Sequence, residues 1–447
     1  MNLERRGMMR HTSTTSLRVV IVGGGFGGLY AARALGNQPI SVTLIDRRNF
    51  HLFQPLLYQV ATGGLSPGDI ASPLRAVLKK YANITVLMGT VTDIDTENRR
   101  LVVQPPNAAP AEFIPYDHLI IATGVQHHYF GNDHWRTVAP GLKTIEDALA
   151  IRRRIFLSFE KAEWTSDPAR RIPLTTFVIV GGGPTGVELA GALGELTRFT
   201  LRRDFRNIQP ADARIVLVEA GERILPTYPA ALSQKARNAL ERLGVEVLTG
   251  NMVTHIDDTG VQLRAAGGET EIPSRTVLWA AGVTASSAAH WLAQKTGTPQ
   301  DRAGRLMVQP DLSLPHHPEI SVIGDLAHFR HQVSKPLPGT APVAMQQGKY
   351  VARKILNSLR DKPTPPFHYR HKGNLAVIGR NQAVADFGTL QFSGFPAWLM
   401  WVFVHIAYLV EYDNKALVLF QWAVDYMTRK KGARLITEAG KPEEGKN

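Results

Sequence analysis

The feature that most constrains this chain is a glycine turn that occurs twice. The first copy, GGGFGG from Gly23 to Gly28, is entered from the apolar run Leu17 to Val22 and left through LYAARAL, ending at Leu35. That order reads as strand, tight turn, helix. Gly23 permits the turn, Gly25 lets the backbone approach a pyrophosphate, and Gly28 lets the helix pack closely on the strand. The helix start then presents unpaired N–H groups to phosphate oxygens. A second strand, Ile40 to Ile45, ends at Asp46, eighteen residues past Gly28, where a carboxylate can accept ribose hydroxyls.

The second copy runs from Thr176 to Val180 into GGGPTG, Gly181 to Gly186, and on into a helix through Leu193. Here Gly181, Gly183 and Gly186 take the three glycine roles, with Pro184 and Thr185 opening the helix. The strand Arg214 to Val218 ends at Glu219, thirty-three residues past Gly186, with the basic segment Arg198 to Arg206 intervening as an extended helix and loop. Glu219 disfavours a 2′-phosphate, so NADH is expected over NADPH, while Arg223 nearby keeps NADPH open. Two such units predict an α/β chain with two Rossmann-like dinucleotide-binding domains.

Further strands end in small-residue turns. These are Tyr116 to Ala122 with Thr123 and Gly124, Val277 to Ala281 with Gly282, and Ile320 to Gly324 with Asp325. Each alone is compatible with an ordinary buried strand. In this order they resemble the two-dinucleotide flavoprotein class, built like glutathione reductase. The resemblance implies FAD at the first turn, nicotinamide at the second, and the Asp325 carboxylate on the ribityl chain.

Composition narrows the acceptor. The chain has 447 residues, enough for several cores, and no cysteine. A disulfide reductase or a sulfur-handling quinone reductase of this class needs cysteine, so both are excluded. The net charge of +13 is carried partly by clusters at Arg5, Arg6 and Arg10, Arg152 to Arg154, and Arg429 to Lys431 with Arg434. No nucleic-acid-binding pattern accompanies them, so no nucleic-acid partner is expected.

The segments Asn49 to Ala61, Gly64 to Arg75, Ala341 to Gly348 and Lys372 to Arg380, with the aromatic C-terminal region, are similar to those of the type II NADH:quinone dehydrogenases. The resemblance covers Leu17 to about Ile436. It implies that these segments surround the flavin and form a quinone tunnel, and adds Phe26, Arg47, Gln54, Pro55, Leu56, Val91 and Ala344 to the cofactor-binding set. It also implies catalytic roles for Glu188, Gln346 and Lys372. Where many relatives carry glutamine this chain has Pro342, which leaves Gln346 as the quinone-orienting candidate with less support. The residue types leave plainer readings open: Glu188 as an acid favourable in a helix's first turn, and Lys372 as a solvated lysine.

Phe395 to Val410 is an apolar, aromatic stretch of sixteen residues, and Ala416 to Val424 is a second, followed by basic residues. Neither reaches the roughly 18 to 20 residues of a membrane span. They suit an in-plane anchor or a packed interface equally by periodicity. With a lipid-soluble acceptor, the reading is an amphipathic helical membrane-anchoring region that attaches to an anionic surface, compatible with a homodimer. The expected organisation is a disordered tail (1–16), an FAD domain in two parts (17–148 and 300–390) around an NADH domain (149–299), membrane-association helices (391–436) and a second tail (437–447). The expected location is peripheral, on the cytoplasmic face of a bacterial inner membrane. A soluble NAD(P)H reductase for a ferredoxin or rubredoxin, and a redox-sensing or lipid-binding flavoprotein, are the competing readings.

Overall fold

The computed structural model describes residues 16–107, 109–410, 412–428 and 432–436. Arg5, Arg6, Arg10, Arg429 to Lys431 and the tail expected at 437–447 lie outside the described residues, as does all but the last residue of the tail expected at 1–16. The chain divides into two compact units, each made of discontinuous segments. Among the described residues, the first comprises 16–49, 74–124 and 285–369, the second 50–73, 125–284 and 370–436.

The first unit holds a six-stranded sheet in the order Ser313–Leu314, His317–Val322, His118–Ile121, Arg18–Val22, Ser41–Asp46, Ile84–Met88. The pairings are parallel except that of Ser313–Leu314. Val19, Val20 and Ile21 are buried on both faces, which is why this strand reads as continuously apolar. The glycine turn passes into helix Phe26–Leu35, and helix Ala341–Ser358 packs along it. A Cβ on Gly348 would lie 2.3 Å from the Gly27 carbonyl oxygen, so only glycine allows the two helices to cross this closely.

The second unit repeats the plan on a smaller scale. Its parallel sheet runs Val245–Thr249, Arg214–Glu219, Thr176–Val180, Thr276–Trp279. In both units the glycine strand lies between the strand that ends in the acid and the strand that precedes the small-residue turn. Both also insert a three-stranded antiparallel sheet before that last strand, over 90–115 in the first unit and 252–273 in the second. The duplication therefore extends well beyond the glycine turns visible in the sequence. The long gap before Glu219 is filled by a helix Pro184–Glu195 that widens into a π turn, Leu196–Thr200, and then by irregular turns.

The second unit also carries the antiparallel sheet Asn374–Gly379, Gln382–Asp386, Gln391–Ser393, followed by helices Phe395–Tyr408 and Tyr412–Thr428. The first of these helices buries Ala397, Trp401 and His405 and leaves Phe395, Leu399 and Phe403 exposed. The second exposes Leu417, Leu419, Phe420 and Met427. No helix among the described residues is long and apolar enough to cross a membrane.

Candidate active site

The first glycine turn is shaped for a phosphate. Gly23 has a φ of +103°, and a Cβ there would meet the Ala122 carbonyl oxygen at 2.5 Å. A Cβ on Gly28 would lie 1.8 Å from the Gly23 carbonyl oxygen, so the helix can start here only without a side chain. At Gly25 nothing lies within 4 Å of the point where a Cβ would stand, which leaves open space over the helix start, and no side chain caps Phe26–Leu35. A helix start with no capping side chain and open space beside it fits an anionic pyrophosphate.

Asp46 stands where the sequence puts it, but it also performs a structural task. One carboxylate oxygen accepts the Gly24 N–H at 2.6 Å and the other the Arg48 N–H at 2.7 Å. Its remaining lone pairs are what a ribose could use. Arg47, between them, is exposed. Thr123 pairs with Ser286 through their hydroxyls at 2.7 Å, and the Ser286 N–H donates to the Gly124 carbonyl at 3.1 Å. Val91 is partly buried in strand Thr90–Asp95.

Gly324 and Asp325 open a short 3-10 turn after strand His317–Val322. The Gly324 N–H donates to the side-chain carbonyl of Gln347 at 2.6 Å, and Gly324 faces Ala344. Sequence reasoning selected Gln346, which is partly exposed on the same helix, and missed the fully buried Gln347. The signal was Gly348, whose contact with Gly27 fixes the phase of the helix. Pro342 lies in the helix's first turn, where its missing N–H costs nothing.

The second glycine turn repeats the arrangement. Gly181 has a φ of +110°, a Cβ on Gly186 would lie 1.8 Å from the Gly181 carbonyl oxygen, and Gly183 faces open space. Pro184 and Thr185, both exposed, begin the helix. Glu219 accepts the Gly182 N–H at 2.6 Å and the Gly221 N–H at 2.7 Å. Arg223, by contrast, donates to the carbonyls of Tyr228 and Pro226 and to Ser233. These bonds hold it against its own loop and the helix that follows. Ala281 and Gly282 follow strand Thr276–Trp279, Gly282 with a φ of +73°.

Glu188 is not a first-turn acid. The helix starts at Pro184, and no acidic residue lies in its first turn, so the dipole reading fails on position. Glu188 is half-buried. Burial pushes its pKa up from 4.5 to about 8, against the opposing effect of the Val377 N–H that bonds it. Two turns on, Glu195 accepts the Arg380 N–H at 2.5 Å. The helix crosses strand Asn374–Gly379 at Gly191, where a Cβ would lie 1.8 Å from the Ile378 carbonyl oxygen.

Lys372 is exposed and lies two residues before that strand. Gln54, Pro55 and Leu56 form a 3-10 turn leading into helix Leu57–Ala61, which packs against the Glu188 helix. Glu188, Lys372 and the Gln54 turn thus belong to the second unit, Gln346 to the first. Tyr58 and Tyr228, neither selected from sequence, are held un-ionised by burial and then by the nearby Glu188 charge. No group of acids and histidines among the described residues is arranged to hold a metal ion.

Comparison with known proteins agrees with this construction. The pyridine nucleotide-disulphide oxidoreductase family matches residues 17–348, and the NDH2 C-terminal domain matches 371–431. The chain is 44% identical over 425 residues to the type II NADH:quinone oxidoreductase Ndh of Mycobacterium tuberculosis, covering 94% of this chain and 90% of that protein. It is 30% identical over 416 residues to the type II NADH:quinone oxidoreductase of Haemophilus influenzae, covering 88% and 92%. The fold matches NDH2 from Plasmodium falciparum in complex with NADH with a TM-score of 0.85 at 22% identity, over 95% of this chain and 100% of that one. Two phosphate cradles, a half-buried carboxyl on the helix that leaves the second, and a C-terminal domain found in these relatives make the chain a member of the type II NADH:quinone oxidoreductase family.

Proposed function

We propose that this protein oxidises NADH and reduces a membrane quinone to quinol, with FAD as its bound cofactor. The observation that carries the proposal is the paired glycine cradle, each braced by its own carboxylate, joined to family membership. FAD supplies a two-electron relay between a nicotinamide and a quinone. In the net reaction NADH and a proton give two electrons and two protons to the quinone, leaving NAD⁺ and quinol.

The chain's residues hold and orient. The helix start at Gly25 to Gly28 and the Asp46 lone pairs take the FAD pyrophosphate and ribose, with Gly324 and Asp325 on the second part of the same domain. The Gly181 to Gly186 turn and Glu219 take NADH. Glu188, uncharged below about pH 8, holds a proton that it can give to a quinone oxygen. Gln346 orients the quinone, and Lys372 stabilises negative charge as it is reduced. FAD is assigned to residues 17–148 and 300–390, and NADH to 149–299.

Helices Phe395–Tyr408 and Tyr412–Thr428 lie in the plane of the membrane surface through their exposed apolar side chains. Support comes from their length: at about 1.5 Å per residue neither covers the roughly 30 Å hydrocarbon core. The finer reading is attachment to an anionic surface on the cytoplasmic face of a bacterial inner membrane, as a homodimer.

The test is optical. The purified protein should be yellow, bleach on adding NADH and recover colour rapidly with a short-chain quinone. Recovery with a small iron–sulfur or rubredoxin-type protein but not with quinone would replace this reading by the soluble reductase.

A further inference from the structure

Helix Ala230–Arg242 packs on the antiparallel sheet Asn374–Gly379, Gln382–Asp386, Gln391–Ser393, and between them lies a recess of about 180 Å³. That is room for a phosphate-sized anion with some of its water. Lys235, Asn238 and Arg242 line it from the helix, Gln382 and Ser393 from the sheet, and Gly394 from the turn that follows. The spacing i, i+3, i+7 brings the three helix side chains onto one face.

What these groups offer is one-sided. The Asn238 side-chain carbonyl accepts the Gln234 amide at 2.8 Å, which leaves its own NH₂ to donate. The Ser393 hydroxyl oxygen accepts the Lys235 ammonium at 3.1 Å, which leaves the hydroxyl hydrogen to donate. No carboxylate lines the recess. Among the described residues none pairs with Lys235 or Arg242: Glu241 is taken by Arg237 at 2.9 Å, and Asp386 accepts the Gly388 N–H at 3.0 Å. A cation in the last helical turn, as Arg242 is, complements the helix dipole. The dipole does not account for Lys235 in mid-helix, or for two like charges facing one space with no counter-ion.

Ser393 and Gly394 lead directly into helix Phe395–Tyr408, which starts without a capping side chain and exposes Phe395, Leu399 and Phe403. An anion held in the recess therefore stands next to the start of an exposed apolar face.

Building on the proposed attachment to a membrane surface, we propose that this recess binds the phosphate of a phospholipid headgroup. Lys235 and Arg242 take the phosphate oxygens, and the acyl chains follow the exposed side of helix Phe395–Tyr408. A phospholipid is the occupant, rather than free phosphate, because only a lipid engages the cationic recess and the apolar face together.

The probe is dihexanoylphosphatidylglycerol, kept below its micelle concentration and titrated into the flavin-loaded protein. Calorimetry reads the affinity, and amide hydrogen exchange over 230–242 and 391–399 reads the place. The lipid binds saturably and slows exchange in both segments. Lys235→Gln with Arg242→Gln weakens binding at least about tenfold, the least that losing a charged hydrogen bond costs. Lys161→Gln with Arg170→Gln, the same charge change on exposed side chains elsewhere in the unit, leaves it at the parental value. Both double variants reduce ferricyanide with NADH at the parental rate, which shows fold and flavin intact. Inorganic phosphate, having no chains to bury, binds at least about tenfold more weakly than the lipid. Parental affinity in the Lys235 and Arg242 variant, an equal loss in the control pair, or equal binding of inorganic phosphate and lipid would overturn the proposal. If the parent does not co-sediment with phosphatidylglycerol vesicles, the membrane reading fails, while the titration with monomeric lipid still decides the recess.

Discussion

The Arg223 guanidinium donates to the Tyr228 carbonyl at 2.6 Å, which turns the cation closest in sequence to Glu219 back into its own loop. Glu219 is left as the charge at the end of its strand, bonded to Gly182 and Gly221. A 2′-phosphate would meet a carboxylate there, with Arg223 already engaged by the Pro226 and Tyr228 carbonyls. NADH should therefore be used with kcat/KM at least about tenfold above NADPH, one such contact being of order 1.4 kcal/mol. Steady-state rates with both nucleotides decide it, and equal values would show that Arg223 leaves its loop when nucleotide binds.

Gly25 and Gly28 separate binding from folding. A methyl at Gly25 enters open space where the pyrophosphate is expected, whereas one at Gly28 strikes backbone at 1.8 Å. Gly25→Ala should melt within about 0.5 kcal/mol of the flavin-free parent yet bind no flavin. Gly28→Ala should lose on the order of 3 kcal/mol or fail to fold. Flavin absorbance and a thermal melt of each variant check both halves.

The raised Glu188 pKa has consequences for rate and stability with distinct pH windows. The folded state keeps this proton up to about pH 8, the unfolded chain loses it near 4.5. Between those values the native state binds more protons, so this group's contribution to stability declines as pH rises from about 4.5 to 8. Glu188→Gln should flatten that decline. It should also lower quinone turnover by roughly 10² or more, the scale of a lost general acid. In the parent, quinone turnover should fall as pH passes 8. A pH series of melting temperatures and of quinone rates tests the pair, and a rate profile unaltered by Glu188→Gln would remove Glu188 from the proton path.

The exposed side of the C-terminal helices can be altered without touching the buried side. Phe403 and Phe420, each 67% exposed, are the natural targets, whereas Trp401 is buried. Phe403→Asp with Phe420→Asp should leave the thermal melt within about 1 kcal/mol and abolish co-sedimentation with anionic vesicles. Vesicle binding at the parental level would move the anchor elsewhere.

The two cradles were legible because their chemistry is local. A turn at Gly23 or Gly181 needs a residue without Cβ, and a strand ending at Asp46 or Glu219 puts a carboxylate within reach of that turn, whatever the rest of the chain does. The Glu188 site was legible only through resemblance. Its position five residues into the helix, its raised pKa and its bond to Val377 depend on a strand almost two hundred residues away in sequence. Gln347 was passed over for Gln346 because adjacent residues on a helix differ by about 100° in direction, and only the contact of Gly348 with Gly27 fixes which one turns inward.

The sequence by itself determined two dinucleotide cradles, the exclusion of thiol chemistry, and C-terminal helices too short to span a bilayer. Each follows from residues close together or from composition. Tertiary structure alone decided that Asp46 and Glu219 brace their own turns, that Arg223 is turned away, and that Trp422 reaches Gln59. Trp422 and Gln59 lie 363 residues apart, and even the shorter-range bonds of Asp46, Glu219 and Arg223 are selected by close packing and the pairing of polar groups, which no local pattern records.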